Sequence, residues 1–345
     1  MRYLLGIESS CDDTSVAIVS EKRDILANIV SSQIQEHVPY GGVVPELASR
    51  AHLQNIEVVF GQAMNASGLS LDQLSGVAVT QGPGLVGSLM VGIHFAKGLA
   101  LGRSLPILGV NHIRGHVAAL FLEHGDIPLP AMALIVSGGH THLFRVEVNR
   151  DLTLLTKTRD DSAGEAFDKL SKMLNLGFPG GPIVDRLARE GAPQTYSFSF
   201  PRFSDGSRDY SFSGLKTAAM RHIQKAPEDF ADPEGTAVKN LCASFQAAVV
   251  HQLLNRVRHG LRRDKDTRAL LLGGGVACNS ALRSGMTLLG EKSKLPAYLT
   301  ARSLSTDNAA MIAAEGWRLF EKGAFAGLDL QADISLKAYD AVRLI

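Results

Sequence analysis

The sequence predicts an α/β protein made of two copies of one unit, with an insertion in the second copy. Three observations carry this. Short apolar stretches split by polar turns alternate with helical periods over residues 3–122, spelling βββαβαβα. The same order begins again at AMALIVSGG. Finally, 345 residues exceed what one core usually holds, since single cores stop growing at roughly 250–300 residues.

The elements follow in order. YLLGIE, SVAIV and DILANIV read as three strands. Leu47, Ala51, Ile56, Val59, Phe60 and Ala63 keep a helical period from about Glu46 to Gly68. SGVAVT is a buried strand, and Leu85 to Gly102 is a helix after the Gln81–Gly84 turn. PILGV is a strand, and Asn111 caps a helix running to Leu122. The second copy gives strands AMALIVSGG, HLFRVEV and LTLLTKT, a helix at about 163–174, the strand RALLLGGG, and a helix from about Val276. A short strand near 296–300 and a helix from about Ser305 to Glu321 complete it. The boundaries expected are 1–127 for the N-terminal lobe, and 128–305 for the C-terminal lobe with its insertion at about 177–235. Residues 306–345 form a C-terminal helix and tail crossing back to the first lobe. IPLP near 127–130 cannot continue a helix and marks the hinge.

Composition narrows the function. Lys plus Arg is 35 and Asp plus Glu is 34, so 35 − 34 gives +1. That excludes gripping nucleic acid by bulk charge, while leaving local basic patches. Cys11, Cys242 and Cys278 are too scattered for a disulfide framework or a cysteine-rich zinc site. The start turns acidic at once, unlike a signal peptide, and no apolar run reaches the ~18 residues of a membrane span. A soluble, cytoplasmic chain is expected. Gly is 34 of 345, about 10% against a usual ~7%, which suits turns that bring backbone close to a ligand.

Ligands of α/β sheets sit beyond strand ends, and the candidate motifs fall there. GIESSCDDTS joins two strands with Ser9, Ser10, Asp12, Asp13 and Thr14, which can hold a phosphate or a cation. IVSGGHTH is the matching turn of the second copy. Ser137, Gly138 and Gly139 offer unobstructed amides to an anion or acyl oxygen. Either turn taken alone is more often a polar hairpin; two at equivalent places favour ligand binding. In NHIRGHVAA, His112 and His116 share one helix face at i and i+4, a metal-ligand spacing. Ile113 stands where the zinc proteases carry their general base, so protease chemistry is discounted. SLSTDNAAMIAAEG puts Asp307 and Asn308 at a helix start. Asp307 there either complements the helix dipole or serves as a third ligand. Two histidines and a carboxylate favour Fe(II), with Zn(II) second. In LLLGGGVACNSALR, a strand runs through Gly273–Gly275 into a helix with Asn279 on its exposed first turn. Asp168 lies on a helix beside Ala166 and Phe167, and Asp185 follows a glycine turn at helix-start spacing; carboxylates near such turns can take ribose hydroxyls or simply be solvated.

GIESSCDDT, QGPGLVGSL, NHIRGHVAA, LIVSGGHTHL, DSAGEAFDK, FPGGP, FSFSGLKT, GGGVACNSALR and STDNAAMIA, in this order, resemble the tRNA N(6)-adenosine threonylcarbamoyltransferase family in its bacterial catalytic-subunit form. The resemblance spans residues 3 to about 320. It implies two duplicated ribonuclease-H-like lobes of the actin-like ATPase, sugar kinase and heat-shock chaperone superfold. It implies transfer of threonylcarbamoyl from threonylcarbamoyl-AMP to the exocyclic amine of the adenosine 3′ of the anticodon, in tRNAs reading codons that begin with A. It places the metal on His112, His116 and Asp307. Substrate falls on Ile135, Val136, Ser137, Gly138, Gly139, Asp168, Gly181, Asp185 and Asn279. Asp12 is a catalytic candidate that orients water, metal or the incoming amine. The family also implies a smaller paralogue, TsaB, as heterodimer partner, and a small ATPase, TsaE.

A small-molecule kinase or ATPase of the same fold is the rival reading, and it leaves the histidine pair unexplained. For tRNA the sequence offers local cations: Arg202, Arg208, Lys216 and Arg221 in the insertion, and Arg256, Arg258, Arg262 and Arg263 on a long helix. The helix from Glu46 to Gly68 carries a broad apolar face, of which ordinary packing on its own sheet uses at least part. By resemblance, the remainder pairs with the paralogue together with the helix near Leu85–Gly102.

Overall fold

The computed structural model describes residues 1–200 and 203–343. Before Asp126 the chain forms β1 (Tyr3–Glu8), β2 (Asp13–Ser20), β3 (Ile25–Ser32), α1 (Ile34–His37), α2 (Pro45–Ser67), β4 (Leu74–Gly82), α3 (Val86–Arg103), β5 (Ile107–Asn111) and α4 (His112–His124). There follow β6 (Ala131–Val136), β7 (Thr141–Val146), β8 (Leu152–Lys157), α5 (Ala163–Met173), α6 (Gly180–Ala188), α7 (Ser213–Lys225) and α8 (Thr236–Arg263). The last elements are β9 (Ala269–Gly273), α9 (Ser280–Ser293), β10 (Ala297–Leu299), α10 (Arg302–Ser305), α11 (Ala309–Glu321) and β11 (Ala341–Val342). The chain divides into two compact units. Unit 1 is Met1–Asp126 with Thr306–Ala338, and unit 2 is Ile127–Ser305 with Tyr339–Ile345.

The strand order records the duplication. Unit 1 has β3-β2-β1-β4-β5 and unit 2 has β8-β7-β6-β9-β10, with β11 added beyond β8. In each, the first three strands pair antiparallel and the remaining pairs run parallel. The parallel strands β1, β4 and β6, β9 are nearly all buried because both faces are covered. In unit 1 the core joins Leu5, Ile7, Val77 and Val79 to Ile56, Val59, Leu89 and Ile93 of α2 and α3. In unit 2, Leu134, Leu143 and Leu272 pack with Phe167, Phe245 and Leu282.

The other face of the first sheet carries α11. It lies close because small residues face it. A methyl on Gly6 would meet Ala309 O at 2.3 Å, and one on Gly115 would meet Ile312 Cδ1 at 2.9 Å. Trp317 Nε1 donates to Val19 O at 3.1 Å. The first amides of α11 are satisfied from outside the helix: Ala309 N by Ser15 Oγ, Ala310 N by Asn28 Oδ1, and Met311 N by the Asn308 side chain.

Two helix starts differ from the sequence reading. The helix read from Ser305 is broken: α10 ends at Ser305 and α11 begins at Ala309, because Asn308 takes the cap. Asp307 therefore precedes the helix instead of occupying its first turn. The helix read from Val276 begins at Ser280, after a tight 3₁₀ turn over Gly275–Cys278. Asn279 is its cap and is buried, not exposed.

Candidate metal centre and anion-binding turns

The metal candidates lie within unit 1. β1, β4 and β5 run parallel, so Glu8 and Asn111 stand at the same sheet edge. Asn111 caps α4, its Oδ1 accepting from Ile113 N and Arg114 N, while its Nδ2 donates to Leu336 O. The cap starts the helix at His112, and one turn brings His116 beneath it, the rings 4.8 Å apart and nearly perpendicular. Asp307 Oδ1 lies 3.5 Å from His112 Nε2 and 3.3 Å from His116 Nε2. One ligand atom from each of the three residues falls within 4.8 Å of the others.

Behind this group sits Glu8, fully buried at the end of β1. Its carboxylate accepts from Ser10 N at 2.5 Å and Thr80 Oγ1 at 2.8 Å, and lies 3.0 Å from His112 Nδ1. A carboxylate facing Nδ1 keeps the proton on that nitrogen and turns the Nε2 lone pair outward. Burial works against the charged ring, yet the Asp307 and Glu8 carboxylates outweigh it and raise His112 to about 9. Burial likewise pushes Glu8 up, but the His112 charge and hydrogen bond hold it below its usual value.

Three features fit this group to a cation. Both His116 ring nitrogens are buried without a hydrogen bond. Negative charge is in surplus: burial and then the Asp307 charge push Asp12 up, and burial chiefly lifts Asp13 to about 7 despite a bond from Ser32. Two imidazoles and a carboxylate are a donor set for Fe(II) or Zn(II). Asp12 itself lies outside the three-ligand group. Its carbonyl accepts from Gln33 N at 3.0 Å.

The remaining candidates lie within unit 2, at the C-terminal edge of the parallel pair β6 and β9. Ile135 and Val136 are wholly buried strand residues, so only their backbone faces the turn, and Ser137 is buried. Gly138 and Gly139 are exposed, and a methyl on either would meet nothing within 4 Å. Neither has a positive φ, so neither the fold's geometry nor its packing calls for glycine there. Gly164 of α5 and Gly274 close on the same turn; a methyl on the first would meet Ser137 O at 2.6 Å and on the second Val136 O at 2.4 Å. Gly274 has φ +89, a conformation that suits glycine.

Asp168 Oδ1 accepts from Gly180 N at 2.7 Å, which ties α5 to the start of α6 beside Gly181. Asp185 lies inside α6, past the helix start where the sequence put it. Its Oδ1 accepts from Ser280 N and Oγ at 3.1 and 2.6 Å. Asn279 donates to Gln246 Oε1 at 2.7 Å and caps Leu282 N. Asp185 and Asn279 therefore share the start of α9, one turn after the Gly273–Gly275 bend, while Asp168 is held at the α5–α6 junction.

A family model described as TsaD, tRNA N6-adenosine threonylcarbamoyltransferase, matches residues 24–314. The chain belongs to the TsaD family. A tRNA N6-adenosine threonylcarbamoyltransferase of Geobacter metallireducens is 48% identical over 329 residues, covering 95% of both chains. One from Thermosipho africanus is 45% identical over 334 residues, covering 97% of this chain and 99% of the relative. Component A of the Acidaminococcus fermentans (R)-2-hydroxyglutaryl-CoA dehydratase superposes with a TM-score of 0.53 at 12% identity, over 94% of this chain and 100% of that one. That likeness shows the fold alone, the actin-like ATPase architecture. As a TsaD-family chain the protein is an acyltransferase of tRNA modification, and the small-molecule kinase reading is not favoured.

Glu8 is the site residue that sequence reasoning passed over in this TsaD-family chain. The signal was an acid closing the apolar strand YLLGIE, at a position where the strand is otherwise buried. Of the local cations, Arg202 lies outside the described residues. Lys216 pairs with Asp161 at 3.3 Å, and Arg256 donates to Asp209 O, so neither stands free for a polyanion. Arg208, Arg221, Arg258, Arg262 and Arg263 are exposed. Among the described residues no helix is long and apolar enough to cross a membrane.

Proposed function

We propose that the protein transfers the threonylcarbamoyl group of threonylcarbamoyl-AMP to the exocyclic amine of the adenosine 3′ of the anticodon, in tRNAs reading codons that begin with A. The observation that carries this is the His112, His116 and Asp307 group, with Glu8 fixing the His112 ring, in a chain that keeps the family's sequence over nearly its full length. An aromatic amine is a weak nucleophile, but the acyl phosphate carries a good leaving group, AMP. Catalysis then needs positioning and charge stabilisation more than a strong base. Orientation alone supplies roughly 7–11 kcal/mol in favourable cases.

The residues divide as follows. His112, His116 and Asp307 hold one divalent metal, Fe(II) before Zn(II), which when bound supplies a Lewis acid for a substrate oxygen. Glu8 holds the proton on His112 Nδ1. Asp12 orients water, metal or the incoming amine. In unit 2 the amides of Ser137, Gly138 and Gly139, at the end of Ile135 and Val136, hold the phosphate or the threonine carboxylate. The Gly273–Gly275 bend receives the adenosine of AMP, with Asp168, Gly181, Asp185 and Asn279 lining its ribose and base.

TsaB as heterodimer partner and TsaE as accessory ATPase complete the proposal, in a cytoplasmic setting where tRNA is met. The test is nucleoside mass spectrometry of unmodified tRNA incubated with this chain, both partners, threonylcarbamoyl-AMP and Fe(II). Threonylcarbamoyladenosine at the expected position supports the reading. Its absence, with folded and metal-loaded protein, counts against it.

A further inference from the structure

We propose that the cavity beyond the C-terminal end of α8 is a phosphate pocket for the RNA substrate, seating a backbone phosphodiester on Arg258, Arg262, Lys265 and the Thr267 hydroxyl. The inference rests on the tRNA reading above and deepens it. The cavity has a volume of about 390 Å³, with Leu261 and Leu289 as apolar wall. That exceeds what a phosphate fills, and leaves the wall for the adjoining sugar.

Charge in the pocket is unbalanced. Among the described residues Arg258, Arg262 and Lys265 form no ion pair, and the acid of the lining, Asp264, is already taken by Arg145. Thr267 is 7% exposed, and its Oγ1 is buried without a hydrogen-bond partner. A buried hydroxyl left unpaired is costly, and the cost vanishes when an acceptor arrives. The plain alternative is that the cations merely complement the helix end. A helix C-terminus carries roughly half a negative charge, which three cations exceed several-fold.

The positive field continues along the same helix. Burial, then Arg208, Arg263, Arg256 and Arg262, hold His259 below its ordinary value, and its Nε2 is buried without a partner. With a net charge of +1, the chain has no global field to draw a polyanion. A local footprint must do so, and contacts of this kind go to phosphate, not to base edges.

The experiment is binding of the full-length chain to labelled unmodified tRNA by fluorescence anisotropy over a salt series. Arg258→Ala, Arg262→Ala and Lys265→Ala are made singly and together, with Thr267→Val. The combined variant should bind more weakly and flatten the slope of log K against log salt by roughly 0.7–0.9 per lost contact. Thr267→Val should weaken binding at every salt with the slope unchanged, since it removes no charge. AMP affinity and circular dichroism should match wild type in all variants. An unaltered slope and affinity in the combined variant overturns the pocket while leaving the tRNA reading intact. Loss of AMP affinity instead assigns the pocket to a free nucleotide and also overturns the proposal. A wild-type chain that binds no tRNA at low salt even with TsaB present overturns the parent reading, and the pocket with it.

Discussion

Glu8 Oε2 lies 3.0 Å from His112 Nδ1, and that pairing fixes which nitrogen of His112 faces Asp307. A carboxylate behind a ligating histidine sets its tautomer and raises its basicity. His112→Ala, His116→Ala and Asp307→Ala should each lose bound metal and transfer activity while remaining folded. Glu8→Gln should keep the ligands but weaken metal affinity about 10–100-fold, the usual range for such outer partners. Metal content by mass spectrometry, with circular dichroism as the folding control, checks all four. Full metal content in the three ligand variants would leave the histidine pair as packing only.

Gly138→Val tests the turn after β6. The position is open, with no neighbour within 4 Å of an added methyl, so the fold should accept the side chain. A ligand seated on the Ser137–Gly139 amides should not. AMP or donor affinity should fall about tenfold or more, ~1.4 kcal/mol, while tRNA affinity is unchanged. Calorimetry with AMP decides it, and an unchanged Kd would place the nucleotide phosphate elsewhere.

His142 gives a stability prediction with a definite sign. Burial and the Lys157 charge lower it to about 4, and its Nδ1 is buried with no hydrogen bond. Between the ordinary value near 6.5 and about 4, the unfolded chain binds a proton that the native chain refuses. Stability therefore falls as pH drops through that window and is unaffected above it. With its partial exposure allowed for, the effect is about 2 kcal/mol. His142→Phe, which extends the stack on Phe144, should flatten this dependence between pH 7 and 4 in urea titrations. An identical pH profile in the variant would refute the assignment.

The α/β skeleton was legible because it rests on local signals: apolar runs of strand length, helical periods and turn residues, spelled twice. The His112 and His116 pair was legible for the same reason, since i and i+4 are neighbours on any helix. What escaped depends on contacts through space. Asn308 caps α11 beyond Ser305, where the sequence starts the helix, and the first amides of α11 there meet Ser15 and Asn28 of the sheet. Asn279 looks exposed in sequence, but α8 lies over it and Gln246 takes its amide. Glu8 was hidden in an apolar strand because its partners, Thr80 and His112, are 72 and 104 residues away.

The proposed interface with the smaller paralogue supplies the last prediction. Scattered exposed apolar residues are ordinary. Here Leu53 and Val58 of α2, and Val86, Met90 and Leu101 of α3, are exposed on two helices that pack together. The two helices touch closely where Gly87 lets α3 approach Ser49, and farther along where Phe60 meets Phe95 edge-on at 5.3 Å. Val86 and Met90 are i and i+4, so they share a face. The inner side of α2 is committed to its own sheet through Ile56, Val59 and Ala63. The outer residues do nothing for that core. At 70% exposure Leu53 can be made polar with little cost to the fold. Leu53→Asp with Met90→Asp should therefore leave melting temperature and metal content near wild type, abolish the heterodimer in light scattering, and with it the transfer activity. Arg262→Glu with Arg263→Glu should do the reverse: it should spare the heterodimer and the metal while weakening tRNA binding and its salt dependence. A heterodimer that survives both polar substitutions, or an isolated chain that modifies tRNA unaided at physiological salt, would end this division of labour.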